Sequence, residues 1–403
     1  MQMNKKKIFN DPVYGFITVP YEIVFDLIEH PYFQRLRRIS QLGLTHYIYP
    51  GALHTRFHHA LGSLHLMSQA ISILRSKGVK IEEEEAEAVS IAILLHDIGH
   101  GPYSHALENV LIETDHEQLS RALMTRLNQQ FNGVLLMALK IFTDQYHKRF
   151  LHQLISSQLD MDRLDYLNRD SFYSGVMEGK IGYDRIIKML HVVDDSLVVE
   201  EKGIYSIEKF LIARRLMYLQ VYLHKAVLSA EKMLIKGIRQ ARKLICSRDS
   251  MTISPPLRFL LTHSWSDPDV RDAVLDHFVL IDDFDVMMLL KMSTSDPDFI
   301  FQLISNGLTH RRLFKVELQN QPFTRQYTET IRRQVATYYK VEDEIAEQLV
   351  MTGSESTKTY NEHDQEIGIL LKTGQIKPLP DFSEYPFLSR NTDKHYICYP
   401  RVL

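Results

Sequence analysis

The sequence predicts a mainly α fold: a helical core to about residue 310, then a small α+β C-terminal region. Three observations carry this. Nearly every long segment before residue 310 repeats its apolar residues at three- and four-residue spacing, the period of a helix rather than a strand. Residues that start or stop helices, such as Pro20, Gly43 and Gly78, bracket those segments. After residue 310 the pattern changes, and Leu313-Phe314-Lys315-Val316-Glu317-Leu318 alternates as a strand does. The expected division is therefore residues 1–310, a helical domain with a helical extension, and residues 311–403.

Taken in order, Tyr21 to Glu29 begins after Pro20, a favourable first residue for a helix. Pro31 to Leu42 carries Phe33, Leu36, Ile39 and Leu42 at three-residue spacing, with Gly43 placed to end it. His59 to Lys77 carries Leu61, Leu64, Ile71 and Leu74, with Gly78 as its stop. Glu82 to His96 opens with acids, where the helix dipole favours them, and continues as an apolar run typical of a buried helix. Asp160 to Ser171 mixes acids, Arg163 and Arg169 with Leu164, Tyr166 and Leu167. Ile207 to Cys246 reads as one or two long helices. A break at Ser254-Pro255-Pro256 precedes further helical segments to about Ser305. In the tail, Phe323 to Lys340 reads as a helix, Gly353 to Asn361 as a Ser/Thr-rich loop, and Ile367 to Leu371 as a strand.

With 45% apolar and 24% charged residues in 403, the chain has ample material for a core and the balance of a soluble globular protein. A net charge of -3 gives no signal for non-specific nucleic-acid binding, although a small anion needs only local basic groups. The two cysteines, Cys246 and Cys398, lie far apart and in no metal-binding spacing, which favours a reducing compartment. No apolar run approaches membrane-spanning length, and the basic residues Lys5 to Lys7 are not followed by an apolar signal segment. The expectation is a cytoplasmic protein with no membrane partner.

The chemistry concentrates in Leu94-Leu95-His96-Asp97-Ile98-Gly99-His100-Gly101-Pro102-Tyr103-Ser104-His105. A His-Asp pair closes an apolar helix, and His59 upstream and Asp162 downstream complete a proposed ligand set of His59, His96, Asp97 and Asp162. Mixed imidazole and carboxylate donors suit Fe, Mn, Zn, Co or Ni without choosing among them. Adjacent residues diverge by roughly 100° on an ideal helix, so His96 and Asp97 converge on one ion only if the turn opens; Gly99 and Gly101 make that opening plausible. His100 lies one turn after His96 and is expected on the same face, toward the ligands or the substrate.

At these residues the chain resembles the HD-domain phosphohydrolases, and more narrowly their deoxynucleoside triphosphate triphosphohydrolase branch, which includes the vertebrate enzyme with SAM and HD domains. The resemblance runs in order from about Phe9 to Lys225. It includes Asn10-Asp11-Pro12-Val13-Tyr14-Gly15, then Phe33-Gln34-Arg35-Leu36-Arg37-Arg38-Ile39-Ser40-Gln41-Leu42-Gly43, then Tyr49-Pro50-Gly51-Ala52 through Arg56-Phe57-His58-His59. The His96 to His105 run and Asp162-Arg163-Leu164-Asp165-Tyr166-Leu167-Asn168-Arg169-Asp170 complete it. The family pattern Arg-Phe-x-His-x-Leu-Gly makes His59 the ligand rather than His58, and places the fourth ligand at Asp162 rather than Asp160 or Asp165.

The resemblance implies a divalent transition metal, with Mg as an additional ion. It also implies hydrolysis of a dNTP to a deoxynucleoside and inorganic triphosphate, by attack of metal-activated water at the α-phosphorus. It assigns phosphate contacts to Arg56 and Arg214, whose planar forks suit paired phosphate oxygens. His105 is the first choice for the general acid at the leaving 5′-oxygen and His116 the second; either could instead bind phosphate. Glu108 stands where the vertebrate enzyme has Asp. Tyr166 and Asp170 match residues at the sugar and phosphate end of the pocket. Gln41 and Leu42 match residues packed on the deoxyribose, and Tyr222 a tyrosine beside the sugar; plain core packing is the competing reading for Leu42 and Tyr222.

Lys7, Asn10, Gln34 and Arg37 match a regulatory nucleotide site in the vertebrate enzyme, with Glu29 in place of its guanine-reading Asp. That match implies an activating nucleotide and, because such sites need shared interfaces, a homo-oligomer. Two other readings stay open: an HD phosphohydrolase acting on another nucleotide or phosphate ester, and a nucleotide-binding regulator without turnover.

Overall fold

The computed structural model describes residues 7–248, 251–356, 366–382 and 393–402. It is mainly α. The chain opens with an antiparallel hairpin, β1 (Ile8–Asp11) and β2 (Gly15–Thr18). The Asp11 carboxylate accepts from the N–H groups of Val13 and Tyr14, and Gly15 takes a positive φ of 78° at the turn. Helices α1 (Glu22–Glu29) and α2 (Pro31–Gln34) follow. The segment expected as one helix from Pro31 to Leu42 is therefore short: a 3-10 turn takes Arg35–Arg38, and the chain then extends. The reason is tertiary. Ser40 gives its N–H to the Asp283 carboxylate, Gln41 gives its own to the His54 carbonyl, and the Ile39 carbonyl accepts from Arg56. Gly43 does turn the chain, with φ of 50°.

The centre of the molecule is α3 (Arg56–Ser76), α4 (Glu83–Leu95) and α8 (Met161–Ser174), with α5 (His116–Gln130), α6 (Leu136–Phe142) and α7 (Arg149–Gln153) between the last two in sequence. Helix α4 is buried at every residue from Ala88 to Leu95, which explains its near-continuous apolar sequence. Helix α3 packs on both α4 and α8. At Gly62 the approach to α8 is so close that a Cβ would stand 2.0 Å from Asp165 Oδ1 and 2.2 Å from Arg169 Nη2.

Helix α9 (Tyr183–Met189) leads into a second hairpin, β3 (Leu190–Val193) and β4 (Ser196–Glu200), which helical periodicity did not anticipate. Its turn residues Asp194 and Asp195 both take positive φ, 47° and 60°, as tight hairpin turns demand. The stretch from Ile207 to Cys246 is two helices, α10 (Ile204–Met217) and α11 (Lys225–Ile245), parted by a π turn over Tyr218–Tyr222. Helices α12 (Pro255–Thr262), α13 (Arg271–Phe278), α14 (Asp283–Met292) and α15 (Phe299–Thr309) complete the helical part.

Beyond residue 310 come β5 (Lys315–Gln319), α16 (Arg325–Tyr339), α17 (Asp343–Leu349), β6 (Met351–Ser356), β7 (Gly368–Leu370), β8 (Ile376–Pro378) and β9 (Asp393–Tyr399). The expected loop from Gly353 is instead a strand as far as Ser356, because alternate residues face inward and the backbone pairs with β9; residues 357–361 lie outside the described ones. One sheet runs β5-β9-β6. The other runs β3-β4-β7-β8, with β4 and β7 parallel, so C-terminal strands extend a sheet begun in the helical part.

Candidate metal centre and active site

Three elements bring the proposed ligands together. His59 is on the first turn of α3, His96 caps α4, Asp97 follows it, and Asp162 is in the first turn of α8. Helix α4 stops at Leu95, so the His-Asp pair lies on an opening turn and both side chains point to one place. His59 Nε2 lies 3.0 Å from Asp162 Oδ1 and 3.6 Å from Asp97 Oδ2; His96 Nε2 lies 3.3 Å from Asp97 Oδ1 and 3.7 Å from Asp162 Oδ1. His59, His96 and Asp97 are buried, whereas the Asp162 side chain is 30% exposed, so the centre opens on that side.

The chemistry of this donor set fits a cation. His96 Nδ1 lies 2.6 Å from the Ile93 carbonyl, which can only accept, so Nδ1 carries the proton and Nε2 is bare in the neutral ring. His59 Nδ1 lies 2.7 Å from Asp165 Oδ2 and is directed in the same way. Both Nε2 atoms are buried without a hydrogen-bond partner among the described residues. Two lone pairs thus converge with two carboxylates, an arrangement of acceptors that a positive charge relieves. The electrostatics agree. Burial lowers the His59 pKa, but Asp162, Asp165 and Asp97 outweigh it and raise the pKa to about 10. Burial raises the Asp97 carboxyl, yet Arg56, His96 and His100 hold it well below its ordinary value.

Residues outside the expected ligand and substrate set hold the site in shape. Asp165 is fully buried and also accepts from Arg169, which reaches Asp11 Oδ2 at 2.7 Å. The Ser120 hydroxyl donates to the His96 carbonyl and accepts from the Gly99 N–H, tying the opened turn to α5. A Cβ on Gly99 would meet His116 O at 2.2 Å, so this approach needs glycine. Arg35, buried, donates to the carbonyls of Ile98, His100, Phe278 and Ile281. The Asp165/Arg169 pair had an i, i+4 signal in the sequence; Ser120 and Arg35 had none.

His100 is reached by the turn rather than by continuation of α4, and its Nε2 faces Asp97 Oδ1 at 3.3 Å. Burial and Arg56 hold its pKa well below the ordinary value, so it is neutral. Its ring stacks on His116 at 4.0 Å, and His105 meets His116 edge-on at 5.4 Å. Glu108 binds both: His105 Nδ1 lies 3.0 Å from Oε2 and His116 Nδ1 lies 2.7 Å from Oε1. Burial opposes the charged form of His116, but Glu108 and Asp97 raise its pKa above the ordinary value. His58 sits apart from these groups, accepting the Thr55 N–H at the start of α3. Arg56 donates to Asp97 Oδ2 at 2.6 Å and to the Ser104 hydroxyl.

Asp162, Tyr166 and Asp170 recur every four residues along one stripe of α8. Asp170 accepts from Tyr222 at 2.7 Å and pairs with His54 at 2.8 Å. The π turn supplies the Tyr222 end of this row, and π turns commonly sit at functional positions. Gln41 joins the same row through its backbone bond to His54, and its buried Oε1 has no partner among the described residues. Leu42 is half-buried and packs on the core. Arg214 is buried, and its charge acts on Tyr166, whose pKa burial raises to about 12. Among the expected regulatory residues, Gln34 accepts from Arg37 at 2.8 Å, Arg37 lies 3.6 Å from the Phe57 ring centroid, and Glu29 acts on Arg37 by charge. Lys7 sits 3.8 Å over Phe25, and Asn10 is exposed on β1.

Comparison with known proteins agrees with this geometry. Residues 56–170 match the HD domain and residues 181–252 the HD associated region. A phosphohydrolase structure from Bacteroides thetaiotaomicron superposes with a TM-score of 0.93 at 47% identity, covering 98% of this chain and all of that one. The Bacillus subtilis protein YwfO is 31% identical over 421 aligned positions, spanning 100% of this chain and 94% of its own length. The Dictyostelium discoideum homologue of the deoxynucleoside triphosphate triphosphohydrolase SAMHD1 is 29% identical over 61% of this chain; the match spans about half of that protein, 51%. The match to the HD domain begins with Arg56 of the site and ends with Asp170, and with the whole-chain likenesses it establishes that the chain belongs to the HD-domain phosphohydrolases.

Proposed function

We propose that this protein is a metal-dependent deoxynucleoside triphosphate triphosphohydrolase, releasing a deoxynucleoside and intact inorganic triphosphate. The observation that carries the reading is the polar row along α8, from Asp162 in the metal centre through Tyr166 to the cluster in which Asp170 bonds the Tyr222 hydroxyl and the His54 ring. The name of the Dictyostelium relative supports the substrate class. His59, His96, Asp97 and Asp162 would hold a divalent transition cation, with Mg as a further ion, and the bound cation would supply Lewis acidity and a lowered water pKa. Arg56 and Arg214 bring fixed positive charge to the phosphate oxygens. Glu108 bonds both rings and raises the His116 pKa, with His105 first and His116 second as the acid that protonates the departing 5′-oxygen. Tyr222, oriented by Asp170, and Gln41 Oε1 receive the deoxyribose, with Leu42 packed behind.

This reading includes a cytoplasmic homo-oligomer activated by a nucleotide at Lys7, Asn10, Glu29, Gln34 and Arg37, supported by the Arg37–Gln34 hydrogen bond and by the charge that Glu29 exerts on Arg37. It is compatible with the described residues, in which no helix is long and apolar enough to cross a membrane. Product analysis with each dNTP and Mn or Mg, with and without GTP, tests it. Nucleoside plus triphosphate is expected. Monophosphate plus pyrophosphate would leave an HD phosphohydrolase but reject this reaction.

A further inference from the structure

Helix α11 carries four cations on one stripe, Lys232, Lys236, Arg239 and Lys243, at spacings of four, three and four residues. They extend over about 16 Å of helix rise. The stripe faces the C-terminal region, and between them lies a groove of about 450 Å³ whose far wall comes from the end of α17, from β6 and from Tyr396 of β9. None of these residues belongs to the metal centre or its polar row.

The charges in this groove are not balanced. Lys232 is held by Glu355 at 2.5 Å and lies 5.1 Å from the Tyr396 ring centroid. Lys236 reaches only a neutral acceptor, Gln348 Oε1, at 3.3 Å. Arg239 and Lys243 are exposed and have neither a hydrogen bond nor an ion pair among the described residues. Among the described lining residues the one acid is Glu347, which pairs with Arg332 at 2.9 Å. Half-burial lowers the Lys236 pKa, and the charges of Lys243 and Arg239 lower it further against the weaker opposing pull of Asp298. Like charges gathered beside a concave, partly apolar wall raise the local concentration of anions. Gln240 donates its Nε2 to Asp298, and its buried Oε1 has no partner among the described residues.

We infer that this groove binds a polyphosphate anion, presented either as inorganic triphosphate or as the phosphate chain of a nucleotide. Arg239 pairs its fork with two phosphate oxygens, and Lys236 and Lys243 add point charges on either side. If the chain carries a nucleoside, the apolar wall of Ile235, Val350 and Met351 and the Tyr396 ring receive the base.

Calorimetric titration of the full chain with inorganic triphosphate, and separately with a nucleoside triphosphate that resists hydrolysis at the α-phosphorus, tests this. Inorganic triphosphate is expected to give two binding events per chain, one at the metal centre and one at the groove, and the nucleotide a further event at the Lys7/Asn10/Glu29/Gln34/Arg37 site, which the groove variants leave in place. In Arg239→Ala/Lys243→Ala the groove event weakens at least tenfold and the others persist; Arg239→Lys gives an intermediate loss. Both positions are exposed, and an unchanged melting curve verifies the fold. Tighter binding of the nucleotide than of triphosphate identifies a nucleotide as the occupant, and equal binding identifies the phosphate chain alone. The inference is overturned if the double variant binds both probes with wild-type stoichiometry and affinity.

Discussion

Asp165 shows how a residue that touches no reacting atom governs the centre. It fixes the His59 tautomer through Nδ1 and holds the buried Arg169, so its carboxylate is engaged on both sides. Asp165→Asn keeps the volume and removes the charge. Metal affinity, read by chelator competition, is expected to fall about 10–100-fold, the usual cost of losing a carboxylate behind a ligating histidine. A change under threefold would show that His59 does not need it. Glu108 is the second such residue. Burial opposes protonation of His116 and Glu108 overcomes that, so the imidazolium persists above the pH at which an ordinary histidine is neutral. Glu108→Gln therefore moves the alkaline limb of the kcat/KM–pH profile to lower pH, the protonated form being lost sooner. A limb that stays in place would remove His116 from any proton-donating or phosphate-binding role.

At the scale of elements, the site depends on how close α3 and α8 come. Alanine at position 62 raises helix propensity by about 1 kcal/mol over glycine, yet its Cβ would collide with both members of the Asp165/Arg169 pair. Overpacking of this kind typically costs about 1–3 kcal/mol, and breaking a buried ion pair costs more. Gly62→Ala is expected to lower the denaturant midpoint and weaken metal binding together; a midpoint equal to wild type or above it would mean the helices separate freely. The same scale explains what was legible beforehand. Helices α3 and α11 show in the sequence through apolar residues at helical spacing, α4 through its near-continuous apolar run, and α8 through Leu164 and Leu167 set among acids and arginines. The short pieces do not. The segment after Gln34 leaves the helix because Ser40, Gln41 and the Ile39 carbonyl bond across the fold, and β6 forms from Ser- and Thr-rich sequence because β9 lies beside it. His59, His96, Asp97 and Asp162 carry an ordered spacing that can be read. His54 and Ser120 act through partners 116 and 24 residues away, which no local pattern encodes.

The whole molecule is tied together at the metal centre. Its donors come from α3, from the turn after α4 and from α8, and the turn is anchored through Arg35 to carbonyls of Ile98, His100, Phe278 and Ile281. Without a cation, two imidazole Nε2 atoms and two carboxylates face one another, and the acids raise the His59 pKa to about 10, so a proton stands in for the positive charge there. A cation that binds only this folded arrangement stabilises all of the elements that meet there. At a free metal concentration a hundred times the dissociation constant, the gain is about 2.7 kcal/mol. Spread over the unfolding entropy of a chain this long, it corresponds to a rise in melting midpoint of roughly 3 °C. A chelator is expected to reverse the rise. His96→Ala abolishes it; the metal-free midpoint of this variant falls as well, because a buried ring and its Nδ1 bond to the Ile93 carbonyl are lost, so the readout is the shift that metal produces within each protein. Scanning Mn, Fe, Co, Ni and Zn ranks the ions by the size of the shift. Equal midpoints with and without every one of them would mean that the four donors do not hold a metal, and the phosphohydrolase chemistry would need another source of water activation.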